Sequence, residues 1–243
     1  MTMAPASDAR EFSPQAYAGM IATIRDRGYE TRGFSDVDPS QRHLIVRHDV
    51  DFSLDAALAM AEQEATLGLS STYFVLLRTE FYNPLSGEGL AALRRIGSLG
   101  HTIGLHFDAA LYAEERIEGA AGDECSLLEA VIGQPVAVLS FHRPAKNLIG
   151  AADRVAGRIN AYAPRYVRDM GYCSDSRGAW RYGAPLDHAA IAEGRALQLL
   201  VHPFWWTEPA LPPEERLRRF LAERAAFLDR ELATHCLTHK AGS

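Results

Sequence analysis

Two aspartates and a histidine follow directly after a short apolar run, in the segment Arg47-His48-Asp49-Val50-Asp51. The residues before it, His43 to Val46, predict a buried strand, and those after it, Phe52 to Asp55, begin a helical pattern. Because side chains two apart in a strand share a face, we expect Asp49 and Asp51 to project together at the end of this strand. Two neighbouring carboxylates need a metal ion, an arginine or a shared proton. A metal or acid–base site is therefore favoured over a pair of helix caps.

Strand-like and helix-like segments alternate along the rest of the chain. This pattern predicts parallel strands joined by right-handed helical crossovers, with the chemistry at the carboxyl ends of the strands. Residues 142–194 are less regular, and Gly119 and Gly122 are candidate breaks in a long helix. The predicted helices are 14–27, 53–67, 86–99, 111–132 and 213–233. After the strand that ends at Asp51, further strands are predicted at 72–77, 101–107, 136–141 and 196–202.

Polar side chains stand at the ends of several of these strands. His106 and Asp108 lie two apart at one strand end and can converge on a single ion, whereas His101 at the strand start is expected to be structural. His142 and Arg143 end another strand. Arg143 alone would be read as a surface residue before a turn, but it could also hold an acid ionised.

A last strand runs into His202 and then into the aromatic residues Phe204-Trp205-Trp206. His202 titrates near neutrality and suits a general acid. Trp205 could belong to the core or to the wall of a sugar-binding cleft. The turn-prone segment from Asp175 to Trp180 offers Trp180 as another candidate wall.

Composition excludes several classes of function. The net charge of -6, without a basic cluster, argues against a nucleic-acid partner, and no apolar run is long enough for a membrane span. Met1 to Pro14 lacks the pattern of a secretory signal, and three scattered cysteines are typical of reduced thiols, so we expect a cytoplasmic protein. No linker divides the chain, which predicts a single domain over 1–243, with the motifs in about 43–206.

The motifs, in this order, resemble those of the polysaccharide deacetylase family, carbohydrate esterase family four. The resemblance covers roughly Leu44 to Trp206 and implies an irregular (β/α) barrel with parallel strands and outer helices. It implies that Asp49 is a catalytic base and Asp51 a ligand of a divalent metal. The segment from Gly100 to His106 matches the motif that supplies the first metal histidine, which is His106.

Three further motifs of the family have counterparts. Arg143-Pro144 matches a motif whose arginine orients the base, and the resemblance gives Arg143 that role. The segment from Leu199 to His202 matches the motif of the catalytic acid, His202. Asp175 to Trp180 loosely resembles the fourth motif, and we expect Asp175, Trp180 and Trp205 to contact substrate.

One position departs from the family pattern. The second metal histidine usually lies four residues after the first, and here that residue is Ala110. A three-ligand site needs another donor. We favour His142, with Asp108 and His48 as alternatives, and zinc as the ion, with cobalt or nickel possible.

The resemblance and the residues together predict metal-dependent hydrolysis of a C–N amide bond, in which an amino sugar or sugar precursor loses its N-acyl group. A hydrolase of a non-sugar amide or formamide is a second hypothesis. A catalytically inactive barrel that only binds a ligand or partner is a third, and the alanine at position 110 motivates it. For the enzyme we expect a small-molecule or carbohydrate substrate.

Overall fold

A nine-stranded sheet forms the centre of the structure, a computed structural model that describes residues 12–181 and 183–242. The strands are β1 Glu30–Thr31, β2 His43–Val50, β3 Thr72–Leu76, β4 Thr102–Phe107, β5 Val138–Phe141, β6 Arg154–Val155, β7 Arg158–Asn160, β8 Gly171–Ser174 and β9 Leu197–Val201. The helices are α1 Pro14–Asp26, α2 Leu54–Thr66, α3 Gly87–Ser98, α4 Ile117–Ile132, α5 Pro164–Val167, α6 Ala189–Glu193 and α7 Pro213–His235.

The strand order is β6-β7-β5-β4-β3-β2-β9-β8, with β1 paired to β2. All described pairings are parallel except that between β6 and β7. Within the described residues the two ends of this order do not pair, so the curled sheet is a half-barrel with helices outside it. The predicted architecture of parallel strands and outer helices is confirmed.

Strand β2 is buried along both faces, and its residues alternate between two environments. Arg47 and Asp49 face the concave interior, where the Arg47 guanidinium lies 5.2 Å from the ring centre of Phe74 on the neighbouring strand β3. His48 points to the opposite face, towards helix α2. Its Nε2 lies 2.8 Å from Oε1 of the fully buried Glu64.

Glu64 is the centre of a buried polar network on that helix-facing side. The hydroxyls of Tyr17, Ser71 and Tyr73 all donate hydrogen bonds to its carboxylate. His101 completes the network through Ser71 and the carbonyl of Ala61, as expected for a structural histidine. Burial alone would raise the pKa of Glu64, but His48 and the hydroxyl donors outweigh it and lower the pKa to about 2.

Helix boundaries match the sequence prediction where a capping residue is present. Ser13, Ser53 and Ser86 each accept a hydrogen bond from the first turn of α1, α2 and α3. The segment predicted as a helix over 111–132 differs, because its first part forms two short 3₁₀ turns and α4 begins only at Ile117. Gly119 and Gly122 do not interrupt α4.

The region predicted as irregular, 142–194, contains three short strands and two short helices. Strand β8 is only four residues long and is buried mainly because β9 pairs with it, which a local pattern does not reveal. Most of the segment considered for a secretory signal, residues 1–11, lies outside the described residues. Among the described helices, none has the length and apolarity to cross a membrane.

Candidate active site

Asp51, His106 and His142 bring one ligand atom each into a common cluster, with those atoms all within 4.8 Å of one another. Asp51 follows β2, His106 lies at the end of β4, and His142 follows β5. Strands β4 and β5 are neighbours in the sheet, whereas β3 lies between β4 and β2. The Nδ1 atom of His106 faces the carbonyl oxygen of Ser140 at 3.3 Å, which leaves Nε2 to face the cluster.

The donor set fits a divalent metal ion. Asp51 Oδ1 lies 3.2 Å from His106 Nε2 and 3.4 Å from His142 Nδ1, yet this buried oxygen has no hydrogen-bond partner of good geometry. The two imidazole nitrogens are also only 3.2 Å apart, so the three ligand atoms converge on one small space. Burial would raise the pKa of Asp51, but the two imidazoles outweigh it and hold the pKa well below its usual range. Two imidazoles and a carboxylate are ligands that suit zinc, and also cobalt or nickel.

The other candidates for the third ligand are placed elsewhere. His48 lies on the opposite face of β2, bound to Glu64. Asp108 uses Oδ1 to accept a hydrogen bond from the main chain of Ala110 and Oδ2 to pair with Arg143. The family position at Ala110 carries no ligand atom, and His142 occupies the cluster instead.

Asp49 is buried beside this cluster and is held by Arg47. The Nε and Nη2 atoms of Arg47 each lie 2.8 Å from one oxygen of Asp49, a two-point contact between residues on the same strand. Asp49 Oδ2 lies 3.5 Å from Nε2 of His106. Burial would raise the pKa of Asp49, but Arg47 outweighs it and lowers the pKa, so this carboxylate is ionised.

Arg47 is itself fully buried and enclosed by polar and aromatic partners. It donates to Ser140 and to Gln198 Oε1, and its guanidinium lies 4.4 Å from the ring centre of Tyr162. The family resemblance implies the orienting role for Arg143, but the arginine that contacts Asp49 is Arg47. Arg143 extends away from Asp49 and pairs with Asp108 at 2.8 Å. Arg47 could have been found from its spacing, since it precedes Asp49 by two residues in a strand.

His202 enters the same region from the end of β9. Its Nε2 lies 3.8 Å from Asp51 Oδ2, and its Nδ1 lies 2.5 Å from Oδ1 of the fully buried Asp175. Burial would lower the pKa of His202, but the attraction of Asp175, with Asp51 and Asp49, outweighs it and raises the pKa to about 9. The imidazole is therefore protonated at neutral pH, as a proton donor requires.

Two of the residues expected to contact substrate have other roles. Asp175 is inaccessible and accepts hydrogen bonds from the main chain of His202 and from the indole of Trp206 at 2.7 Å, so it positions His202. Trp180 packs against Phe12 and Trp206, with ring centres 6.2 and 6.1 Å away. It does not line the cleft described next.

A cleft of about 800 Å³ opens over the cluster. Asp51, His142 and His202 line one end of it, and the largely buried Trp205 lines its wall. The remainder of the lining combines apolar side chains and three arginines with Thr79, Glu80 and Asp108, and includes Leu76, Phe81, Leu111, Arg78, Arg143 and Arg177. Asp49 and Arg47 lie behind this surface and are nearly inaccessible.

No family model matches the sequence, and no curated protein matches it. Similar solved structures include a family 4 carbohydrate esterase from Bacillus anthracis, at 14% identity over 86% of this chain and 85% of that chain, with a TM-score of 0.46. The Streptococcus pyogenes deacetylase PplD in complex with acetate has 13% identity over 90% of this chain and 92% of that chain, with a TM-score of 0.46.

A third similar structure is a CE4 family pseudoenzyme from Bacillus anthracis, at 13% identity over 76% of this chain and 61% of that chain, with a TM-score of 0.43. The two Bacillus anthracis proteins are described as members of carbohydrate esterase family 4, which the sequence motifs resemble, and the Streptococcus pyogenes protein is described as a deacetylase.

Proposed function

We propose that the chain is a metal-dependent hydrolase of the polysaccharide deacetylase type, which removes an N-acyl group from an amino sugar. One observation carries this proposal: a cluster of two histidines and an aspartate borders one cleft together with a protonated histidine, and an ionised aspartate is buried beside the cluster. Paired acid and base groups of this kind, set on opposite sides of a metal site, serve amide hydrolysis.

Asp51, His106 and His142 are the residues that would hold the ion, with zinc favoured and cobalt or nickel as alternatives. A divalent ion bound by them would polarise the acyl carbonyl and lower the pKa of a water molecule. His106 is oriented for this task by Ser140, and the charge of Asp51 is maintained by its low pKa.

Asp49 acts as the base in this proposal. Its carboxylate is ionised and cannot rotate, because Arg47 holds both oxygens, and it accepts the proton of the attacking water. Its low pKa makes it a weak base, which suits a water whose own pKa a bound ion would lower.

His202 acts as the acid. Its Nδ1 is fixed by Asp175, so Nε2 is the nitrogen that faces the cleft and delivers a proton to the departing amine. Breakdown of the tetrahedral species breaks the C–N bond, and the products are a carboxylate and a free amine.

The walls of the cleft support a sugar as the substrate. Phe81 is 41% exposed on the cleft wall and offers a face against which a pyranose ring can pack, and the volume accommodates more than one ring. We place the enzyme in the cytoplasm, which agrees with the three unpaired cysteines, two of them buried.

The test is a release assay for acetate and formate with the purified, metal-loaded protein. The substrates are N-acetylglucosamine and its oligomers, N-formyl amino sugars, and a set of cyclic amides. We expect acyl release from the amino sugars, loss of activity with a chelator, and recovery with zinc or cobalt. Asp49→Asn and His202→Gln should lose at least about 100-fold in kcat, whereas the exposed helix residue change Asp55→Asn should not alter it.

Release from cyclic amides alone would move the function to the non-sugar hydrolases. A protein that binds metal yet releases no acid from any substrate would contradict the proposal and favour the inactive barrel.

A further inference from the structure

The geometry points to an anion-binding site in the same cleft, formed by Arg143 and Arg177, that selects an amino sugar carrying a phosphate or a carboxylate group. The inference rests on the proposed function for the position of the acyl group, at the reactive end of the cleft, where Asp51, His142 and His202 lie. Nothing in the proposed chemistry uses either arginine. Their presence at the mouth of the cleft therefore needs a separate reason.

Arg143 is available for a ligand because Arg47 already holds the base. Its side chain is 73% exposed, whereas that of its partner Asp108 is 6% exposed. One terminal nitrogen donates to Asp108 Oδ2, and a guanidinium has five N–H donors. The contact with Asp108 therefore anchors the guanidinium beside His142 and leaves most of its donors directed outward.

Both arginines occupy an unfavourable backbone conformation. Three non-glycine residues in the described chain have positive φ, namely Arg143 at 45°, Ala156 at 49° and Arg177 at 61°. Side chains with a Cβ rarely adopt this region, and where they do the surroundings enforce it, often at binding sites. Two of the three lie at the mouth of one cleft, and both are arginines.

The turn that carries Arg177 is fixed at several points. The main-chain N–H groups of Gly178 and Ala179 both donate to the carbonyl of Asp175, at 2.9 and 3.2 Å. A Cβ on Gly178 would lie 2.7 Å from Pro213 Cγ, so the turn packs tightly against the start of α7. Because Asp175 also fixes His202, the same short segment sets the position of the acid and of Arg177.

The acids around the cleft leave Arg177 without a partner and engage Arg143 only through Asp108. Arg78 is paired with Glu124 at 3.0 Å and lies over the ring of Tyr112. Asp108 is shared with Arg143, and Asp51 faces the two imidazoles. Arg177 is exposed and makes no hydrogen bond or ion pair with any described residue, and the exposed Glu80 is the remaining acid on the wall.

Phosphate and carboxylate oxygens accept paired hydrogen bonds from a guanidinium, and Arg is the residue best suited to bind them. A neutral sugar would leave Arg177 without an anionic partner and most of the donors of Arg143 unused. A substrate with its acyl amide at the reactive end and its anionic group at the mouth would satisfy both.

The experiment measures binding and acyl release separately. Isothermal titration calorimetry of the metal-loaded protein would compare N-acetylglucosamine, N-acetylglucosamine 1-phosphate and N-acetylmuramic acid, and the same three compounds would be tested for acetate release. The variants are Arg143→Gln and Arg177→Gln. Arg218→Gln is the matched control, because Arg218 is similarly exposed at 69% and does not line the cleft.

We expect at least one anionic sugar to bind roughly tenfold more tightly than the neutral sugar, and each cleft variant to lose about that preference while Arg218→Gln keeps it. The better of the two anionic compounds identifies phosphate or carboxylate as the group. Equal binding of all three, or no binding of any, would overturn the inference, as would a preference that survives both variants. If the neutral sugar releases acetate but no anionic sugar binds more tightly, the proposed function stands and the anion site is rejected. If an anionic sugar binds more tightly but no compound releases acetate, the anion site stands and the proposed function is rejected.

Discussion

Arg47 and Asp49 form a two-point ion pair within a single strand, with both N···O distances at 2.8 Å and both side chains almost completely buried. The proposed base and the cation that holds it are thus separated by one residue in the chain. The orientation of the base then depends on the straightness of β2 and not on a loop from elsewhere.

Replacing Arg47 tests this dependence. Arg47→Lys keeps the charge but cannot hold both oxygens, so we expect kcat to fall by roughly 10- to 100-fold while the metal content stays near that of the wild type. Steady-state kinetics and metal analysis on the same preparation measure the two quantities. Arg47→Met would leave Asp49 charged and unpaired, and we expect it to lower the free energy of unfolding by about 3 to 5 kcal/mol. Unchanged kcat in Arg47→Lys would remove the orienting role.

The pairing of His202 with Asp175 predicts a pH dependence. The folded pKa of His202 is raised to about 9, so the proton donor is present at neutral pH and is lost as the pH rises through that value. In Asp175→Asn the attraction is removed and the burial remains, so the pKa of His202 should fall and the alkaline limb of kcat/KM should move to lower pH.

The control for that experiment is Trp206→Phe, which removes one partner of Asp175 but leaves its carboxylate next to His202. Its alkaline limb should stay close to that of the wild type. A bound cation lowers the pKa of His202 in every variant alike, so the informative quantity is the difference between variants in the position of the alkaline limb. Identical limbs in the wild type and in Asp175→Asn would show that another group controls the alkaline fall.

The identity of the third metal ligand can be tested by substitution. His142→Ala should weaken zinc binding by more than roughly 100-fold, which exceeds the usual effect of losing a residue that only contacts a ligand. Asp108→Asn should retain zinc, because Asp108 is engaged by Arg143 and the main chain of Ala110. Competition with a chromogenic chelator measures both affinities. If Asp108→Asn loses the metal and His142→Ala keeps it, the assignment of His142 is incorrect.

Glu64 provides a prediction about stability alone. The pKa of Glu64 is about 2 in the folded protein and about 4.5 in the unfolded chain. The stability that this carboxylate contributes is therefore present above pH 4.5 and is lost as the pH falls towards 2. Glu64→Gln should lower the free energy of unfolding by about 3 kcal/mol at neutral pH. The free energy of unfolding of this variant should also change less between pH 4.5 and pH 2 than that of the wild type.

Chemical denaturation at several pH values measures this, and turnover per folded molecule serves as its control. Glu64 lies on the helix-facing side of β2, away from the cleft, so turnover should be preserved. A large loss of turnover with normal stability would place Glu64 in the catalytic machinery instead.

The sequence predicted the parts of this molecule that follow from local periodicity. Strand β2, the helices with serine caps and the gathering of Asp51, His106 and His142 at strand ends all follow from spacing rules. Strand β8 and the pair β6–β7 were missed because short strands are stabilised by their partners, and a single segment does not record its partner.

The roles of two charged residues were also beyond local rules. Arg143 and Asp175 both match family motifs, but which carboxylate or imidazole each one meets depends on side-chain direction after the strand ends. Arg143 turns towards Asp108 with a positive φ, and Asp175 turns inward to His202. By contrast, the partner of Asp49 was readable from spacing, since Arg47 shares its face of the strand.

The alternation of β2 has a consequence for how this segment can change. A deletion or insertion of one residue would carry Arg47 and Asp49 outward under α2 and bring His48 into the concavity. The catalytic pocket and the polar anchor around Glu64 would be lost in the same event. Any viable length variation in this protein should therefore fall in the loops on either side of the strand, never inside it.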